Sequence, residues 1–190
     1  MYRHFKGGPP PVARREYLTA ELRRLVSKGV VARYAPGKYG LPAGVTVKDL
    51  LMAIDSDAYV TAAAALARHG LVTQVPQLVE CFTRRRHNRS RERHSPLGTL
   101  VFTCVAPAVH AHPEGGLAGP GRAPYDLVFI SRRHGLDPRS LCTFRHLGRV
   151  DLREHLLARY PRTLQDDVRR LVETARSIRQ HFSGTKAVRP

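Results

Sequence analysis

Residues 22–41 read LRRLVSKGVVARYAPGKYGL, and this stretch decides how the first part of the chain folds. Apolar side chains recur there and just before it at steps of four, three and one, the spacing of one face of an amphipathic helix. They are Leu18, Leu22, Leu25 and Val26. Gly29 follows where helices commonly end in a left-handed residue. Two β-prone segments, 30–34 and 38–41, then flank Ala35-Pro36-Gly37, which predicts a tight hairpin.

A helix, a glycine and a short hairpin in this order form the second half of a winged helix. Residues 16–43 are therefore predicted to be a partial winged helix, a recognition helix plus its wing. In such motifs the helix enters the major groove of DNA and the wing reaches the backbone or the minor groove. The residues predicted to contact DNA are Thr19, Arg23, Arg24, Lys28, Arg33, Lys38 and Tyr39. Residues 1–15 carry consecutive Gly and Pro residues without an apolar period, which predicts a flexible tail.

Residues 44–190 are predicted to form an α+β domain with a small sheet and C-terminal helices. Thr46 is expected to cap a short helix, and an alanine-rich helix is expected to end at His69-Gly70. Three strands are predicted, at 78–83, 100–106 and 125–131. Residues 107–124 are rich in Gly and Pro and predict a long loop. The last third is predicted to be helical, with a stripe formed by Leu164, Val168, Leu171, Val172, Ala175 and Ile178.

The charge balance points to a polyanionic partner. The chain of 190 residues has 32 Lys and Arg against 15 Asp and Glu, a formal net charge of +17. A strong positive field raises the local concentration of phosphate backbones. GC-rich coding would account for the preference for arginine over lysine, but not for the excess over acids. Charge alone does not identify the nucleic acid.

The densest basic run lies at residues 84–93, with Glu92 as its one acid. The flanking predicted strands place it at a hairpin tip. It is a candidate electrostatic arm that adds phosphate contacts or docks an acidic protein; the alternative is a solvated loop. Its arginines are Arg84, Arg85, Arg86, Arg89, Arg91 and Arg93.

No catalytic residue, metal or cofactor is expected, and the chain is not expected to be an enzyme. Asp55 and Asp57 lie in a polar turn, where capping is their simplest role. His110-x-His112 lacks a cysteine partner for a metal site. Three widely spaced cysteines, Cys81, Cys104 and Cys142, exclude a disulfide scaffold and favour a reducing cytoplasm. No run of residues is long and apolar enough to predict a membrane span.

Two stretches together resemble the AbiEi family, the antitoxins of type IV toxin–antitoxin systems and related transcription regulators. The first is Leu22-x-x-Leu25-x-x-x-Gly29-Val30-x-x-Arg33 followed by Gly37-Lys38-Tyr39-x-Leu41, similar to the family's recognition helix and wing. The second matches a helix that ends in a histidine-glycine-leucine turn before a strand. It comprises Tyr59-Val60-Thr61, Ala65-Leu66, His69-Gly70-Leu71 and Gln74-Val75-Pro76. Together these cover residues 16 to about 106.

The resemblance implies a DNA-binding regulator that represses its own promoter and opposes a nucleotidyltransferase toxin. Its partners would be double-stranded operator DNA and that toxin. Family members begin with two further helices behind the recognition helix, so the winged helix is expected to be shortened here. The loop at 107–124 resembles an insertion. The alternative is a protein-interaction module that binds no DNA and whose basic surface docks an acidic partner.

Overall fold

The computed structural model describes residues 11–74, 76–87, 91–110, 113–138, 150 and 158–184, and only the backbone at 11–14, 114 and 178–184. Its fold is α+β, as predicted. The helices are α1 (Pro11–Ser27), α2 (Val47–Ile54), α3 (Ala62–Arg68), α4 (Ala123–Arg133) and α5 (Arg162–Gly184), with a 3-10 turn at Glu114–Gly116. The strands are β1 (Ala32–Ala35), β2 (Lys38–Gly40), β3 (Tyr59–Val60), β4 (Leu78–Thr83), β5 (Glu92–Ser95) and β6 (Gly98–Cys104). None of the described helices combines the length and apolar character needed to cross a membrane.

A four-stranded sheet with the order β3-β4-β6-β5 is the centre of the fold, and β1 and β2 form a separate antiparallel hairpin. Strands β4 and β6 run parallel, whereas β3 and β5 are antiparallel to their neighbours. The sequence placed residues 84–93 at a hairpin tip between two strands. That placement is wrong, because parallel strands need a crossover connection, and β5 begins inside the run at Glu92.

Two apolar clusters occupy the two faces of the sheet. Along β4, Phe82 packs in the cluster that includes α3, α4 and α5, while Val79 and Cys81 belong to the cluster that includes α2. This division follows from the two-residue period of a strand. Tyr34 and Ala35 of the hairpin lie in the second cluster and are buried. The domain boundary predicted after residue 43 therefore does not separate two cores.

Local signals located several elements correctly. Thr46 caps α2 in a capping box, in which its side chain accepts from the backbone of Asp49 and the Asp49 carboxylate accepts from the backbone of Thr46. The alanine-rich helix α3 ends at Arg68, before His69-Gly70. Helix α1 begins at Pro11, so residues 11–15, assigned to the tail, are helical; residues 1–10 lie outside the described range.

The third predicted strand, 125–131, is wrong, because these residues lie in α4. A short apolar run does not distinguish a buried strand from a buried helix. The residues that favour a helix lie at the two ends of this run. Pro124 occupies the first turn, Arg132 and Arg133 the last, and Gly135 follows with a φ of 65°. Those are the positions where proline, cations and a left-handed glycine favour a helix.

The predicted loop at 107–124 ends two residues earlier than expected, because α4 begins at Ala123. Its described residues pack on the body: Val109 and Ala118 are buried, and the amide of Ala118 donates to the Val60 carbonyl at 2.8 Å. In α5, the predicted stripe from Leu164 to Ala175 is buried. Ile178 of that stripe has no described side chain, and the helix expected near Leu152 lies outside the described residues.

A buried polar network joins α4 to three other parts of the chain. Asp126 accepts hydrogen bonds from Thr61 Oγ1 at 2.5 Å, from Arg122 Nε at 3.1 Å and from the Tyr160 hydroxyl. Arg122 Nη2 donates to the Tyr59 hydroxyl at 2.9 Å and to the Val109 carbonyl. Burial raises the pKa of Asp126, while the Arg122 charge and these donors oppose that rise.

The side chain of Glu80, on β4, caps the N-terminus of α3. The helix's own N-cap residue, Thr61, makes no capping bond with its side chain. The backbone amides of Ala63 and Ala64 donate to the Glu80 carboxylate. The carboxyl is nevertheless mostly buried, and Oε2 has no hydrogen-bond partner among the described residues. Burial therefore raises the pKa of Glu80 to about 7.

Replacing Arg122 tests the buried network. Arg122→Leu leaves the Asp126 carboxylate buried without its cation, and we expect the free energy of unfolding to fall by about 3–5 kcal/mol. Arg132→Leu is the matched control on the same helix. It removes a half-exposed pair with Asp167, which contributes only about 0–1 kcal/mol. Denaturant unfolding measures both, and equal losses would contradict the central role of the network.

Replacing Glu80 tests its raised pKa. The native state holds the Glu80 proton up to about pH 7, whereas the unfolded chain loses it near the ordinary glutamate value. The side chain therefore lowers stability progressively as the pH rises through that window. Glu80→Gln has no proton to lose. We expect it to be more stable than the parent by about 2–3 kcal/mol at pH 8, with the difference closing below pH ~5. A difference independent of pH in chemical denaturation would show that Glu80 does not titrate in this way.

Candidate nucleic-acid interface

Helix α1 and the turn directly after it carry four of the predicted DNA-contacting residues, and all four side chains are exposed. They are Thr19, Arg23, Arg24 and Lys28. Arg24 is not free, because its guanidinium pairs with Glu21, through Nε at 2.8 Å and through Nη2. The Thr19 hydroxyl donates to the Arg15 carbonyl at 2.8 Å. Arg23 and Lys28 have no carboxylate partner within the part of the chain that is described.

The helix does not present these four residues on one face. Residues four apart lie one turn apart on the same side of a helix, and adjacent residues are rotated by about 100°. Thr19 and Arg23 therefore share one side, and Arg24 and Lys28 share another. A single groove of DNA would therefore contact one of these pairs more fully than the other.

The hairpin carries the other three predicted residues, and these are also exposed: Arg33, Lys38 and Tyr39. Arg33 and Tyr39 are directly opposite each other on β1 and β2. The neighbouring Tyr34 is 3% exposed and its hydroxyl donates to the Leu41 carbonyl at 3.0 Å. A buried residue thus anchors the hairpin while its outer side stays accessible.

A glycine turn connects the helix to the hairpin. Gly29 has a φ of 70°, its amide donates to the Val26 carbonyl at 3.0 Å, and the Val30 amide donates to the Leu25 carbonyl at 3.0 Å. These two bonds define a Schellman motif, which fixes the direction in which the chain leaves the helix. The structure confirms the helix end predicted at Gly29.

The basic run at 84–93 divides into arginines with different surroundings. Arg84 binds the Asp57 carboxylate through Nε and Nη2, and Arg85 Nε lies 3.5 Å from Asp55 Oδ1. Arg91 Nη2 donates to His134 Nε2 at 3.1 Å, which links the run to the end of α4. Arg93 is half-buried on β5, and Arg89 lies outside the described residues. Among these arginines, Arg86 is exposed with no recorded partner in the described chain.

Asp55 and Asp57 hold the start of this run, a role beyond the turn capping predicted from the sequence. Asp55 accepts from Thr83 Oγ1 at 2.7 Å and pairs with His87 Nε2 at 2.8 Å. Burial opposes ionisation of Asp55, but these hydrogen bonds keep its pKa below the usual range. Hydrogen bonds from Arg84 hold the pKa of Asp57 far below its usual range. Both aspartates are therefore ionised at neutral pH.

His110, the first histidine of the weighed metal motif, is buried and bonds to protein. Its Nε2 lies 3.0 Å from the Asp57 carbonyl oxygen and 3.7 Å from Asp57 Oδ2. His112 lies outside the described residues, and the side chain of Glu114 is not described. The described residues contain no cluster of three or more metal-ligating side chains.

Sequence reasoning missed a basic groove beside the C-terminal ends of β4 and β6. It has a volume of about 600 Å³, and arginines from two parts of the chain line it: Arg84, Arg86, Arg91 and Arg133. His87 and Phe102 form part of its wall, with ring centroids 4.4 Å apart. Finding the groove from the sequence required knowing that β4 and β6 are parallel and that α4 is a helix.

Comparison with protein-family models and with curated proteins finds no match for this chain.

The contrast between Arg84 and Arg86 is testable through stability. We expect Arg84→Gln to lower the free energy of unfolding, because it removes a charge-assisted contact with Asp57. Arg86→Gln should change it by less than about 0.5 kcal/mol, as for an exposed residue without a partner. Thermal and urea unfolding of the two variants measure this. An equal loss in both would mean that Asp57 does not hold the start of the run.

Proposed function

We propose that this protein is a non-enzymatic, DNA-binding transcription regulator similar to the AbiEi antitoxins. It acts in the cytoplasm on double-stranded operator DNA at its own promoter and opposes a nucleotidyltransferase toxin. One observation carries the DNA-binding part. All seven side chains that the winged-helix pattern assigned to DNA are exposed on one helix–hairpin unit.

The shape of α1 supports this proposal. It has 17 residues, which is about 25 Å of helix, and none of its described side chains is buried. The major groove of a duplex admits an α-helix, and a helix whose side chains are not buried against the rest of the protein is able to enter it. The hairpin, fixed by Tyr34 and by the Gly29 turn, then lies beside the helix end.

The charge of this unit supports phosphate contact. Arg23, Lys28, Arg33 and Lys38 are exposed, and none of them pairs with a carboxylate in the described part of the chain. Each cation placed on a phosphate releases condensed counterions, which is the main source of affinity that does not depend on sequence. Arginine can also read guanine through two hydrogen bonds.

The second candidate function is binding of a protein partner without DNA. The apolar side chains of the same unit favour it, because Tyr17 is 68% exposed, Leu18 53% and Val30 50%. Exposed apolar groups on a helix are common in protein interfaces. The two functions differ in salt dependence, since burial of apolar surface does not follow the counterion law.

Variants of the hairpin test the DNA-binding proposal. We expect Arg33→Ala with Lys38→Ala to weaken binding to all duplexes alike and to reduce the slope of log affinity against log salt by about two. The matched control is Arg159→Ala with Arg162→Ala, which removes two exposed arginines near the start of α5 that have no recorded carboxylate partner in the described chain. Fluorescence anisotropy at several salt concentrations measures the slopes. If the hairpin and the control variants behave alike, the hairpin does not contact DNA.

Variants of α1 test sequence reading. Arg23→Ala should relax the preference for the protein's own upstream region over unrelated DNA by about 1–3 kcal/mol if its guanidinium binds guanine. Arg24→Ala should have a smaller effect, because Arg24 is paired with Glu21. Competition binding with the two duplexes provides the measurement. Unchanged preference in both variants, with the fold intact, would favour the protein-partner function.

A further inference from the structure

The basic groove has an unbalanced charge. Arg84 is neutralised by Asp57, but Arg86, Arg91 and Arg133 have no carboxylate partner within the described chain, and none of the described residues that line the groove is acidic. Like charges around a concavity repel one another, and the walls focus their field into it. An anion bound there would relieve this repulsion.

We propose that this groove binds a small phosphorylated ligand, a phosphate monoester or diphosphate, held by Arg86, Arg91 and Arg133. The guanidinium group fits a phosphate because its planar fork donates two parallel hydrogen bonds to phosphate oxygens. The volume of about 600 Å³ lies within the usual range for small-molecule sites.

Contacts within the protein orient two of the three arginines. Arg133 Nη1 lies 3.4 Å from the Cys104 carbonyl oxygen, and Arg91 Nη2 donates to His134 Nε2 at 3.1 Å. Side chains already oriented lose less conformational entropy on binding. Arg86, which has no partner in the described chain, is free to close on the ligand.

The shape of the groove favours a small ligand over a duplex. A duplex presents a convex cylinder, and its major groove receives a protruding helix or ribbon. The basic groove is concave, with walls formed by Phe102, Val105 and Pro107. The exposed helix–hairpin unit has the protruding shape that a duplex needs, so the two surfaces suit different ligands.

Cys104 gives a local reporter of occupancy. It lines the groove and is partly exposed, whereas Cys81 is fully buried. Burial also raises the pKa of the Cys81 thiol. The rate at which an alkylating reagent modifies Cys104, followed by peptide mass spectrometry on the full chain, reports access to the groove.

The test uses inorganic phosphate and adenosine monophosphate as probes, with chloride at matched ionic strength as the reference. We expect either probe, but not chloride, to slow alkylation of Cys104 and to raise the melting temperature. Arg86→Gln with Arg133→Gln should weaken phosphate affinity about 100-fold, since each lost charge-assisted contact contributes about tenfold. Arg169→Gln, on the exposed side of α5, should leave it unchanged.

Three results would overturn the proposal: protection by chloride equal to that by phosphate, phosphate affinity unchanged in the double variant, or protection of Cys104 by a short duplex but not by phosphate. The last would make the groove part of a nucleic-acid surface. The test is independent of the proposed regulator function. Loss of duplex binding in the Arg33 and Lys38 variant tests that function, and the groove variants leave those two residues intact.

Discussion

The position of the Asp126 carboxylate is the constraint on which the rest of the structure depends. Desolvating a carboxylate costs several kcal/mol unless a cation and hydrogen-bond donors surround it. Arg122, Thr61 and Tyr160 supply them, and they come from the start of α4, the junction of β3 with α3, and the segment before α5. Satisfying one charge therefore fixes how three segments meet on one face of the sheet. A shift of any of them would leave a buried polar group without its partner.

The same arrangement explains where the charged surfaces lie. Helices α3, α4 and α5 cover one face of the sheet, and the hairpin and α2 cover the other. Both faces are therefore occupied, and α1 belongs to neither layer. Its side chains remain exposed for that reason. The end of α4 brings Arg133 and His134 toward the ends of β4 and β6, where Arg91 meets His134. The packing of the core thus determines both that α1 stays exposed and where the basic groove forms.

Features determined by neighbouring residues were predictable from the sequence. Thr46 with Asp49, Gly29 after α1, and the hairpin around Pro36-Gly37 all depend on contacts within a few positions. Features determined by distant residues were not. The parallel pairing of β4 with β6 depends on a crossover, and the apolar run 125–131 does not distinguish a strand from a helix until its place in the core is known. The exposed residues of the helix–hairpin unit were therefore predictable from the local sequence pattern. The groove was not, because it depends on helix α4 and on the parallel pairing, and the sequence analysis assigned both wrongly.

The net charge of the protein says less about where an outside anion can bind than the partners of each individual cation do. A run of arginines that appears uniform in the sequence contains Arg84, which holds Asp57 in place, and Arg86, which has no recorded partner in the described chain. Only the second kind is free to attract an outside anion, because a paired arginine would first have to leave a carboxylate. On α1 the same distinction separates Arg23 from Arg24, whose charge Glu21 already offsets. The two phosphate contacts that we propose therefore rest on cations without a recorded partner in the described chain, such as Arg23 on the helix–hairpin unit and Arg86 in the groove.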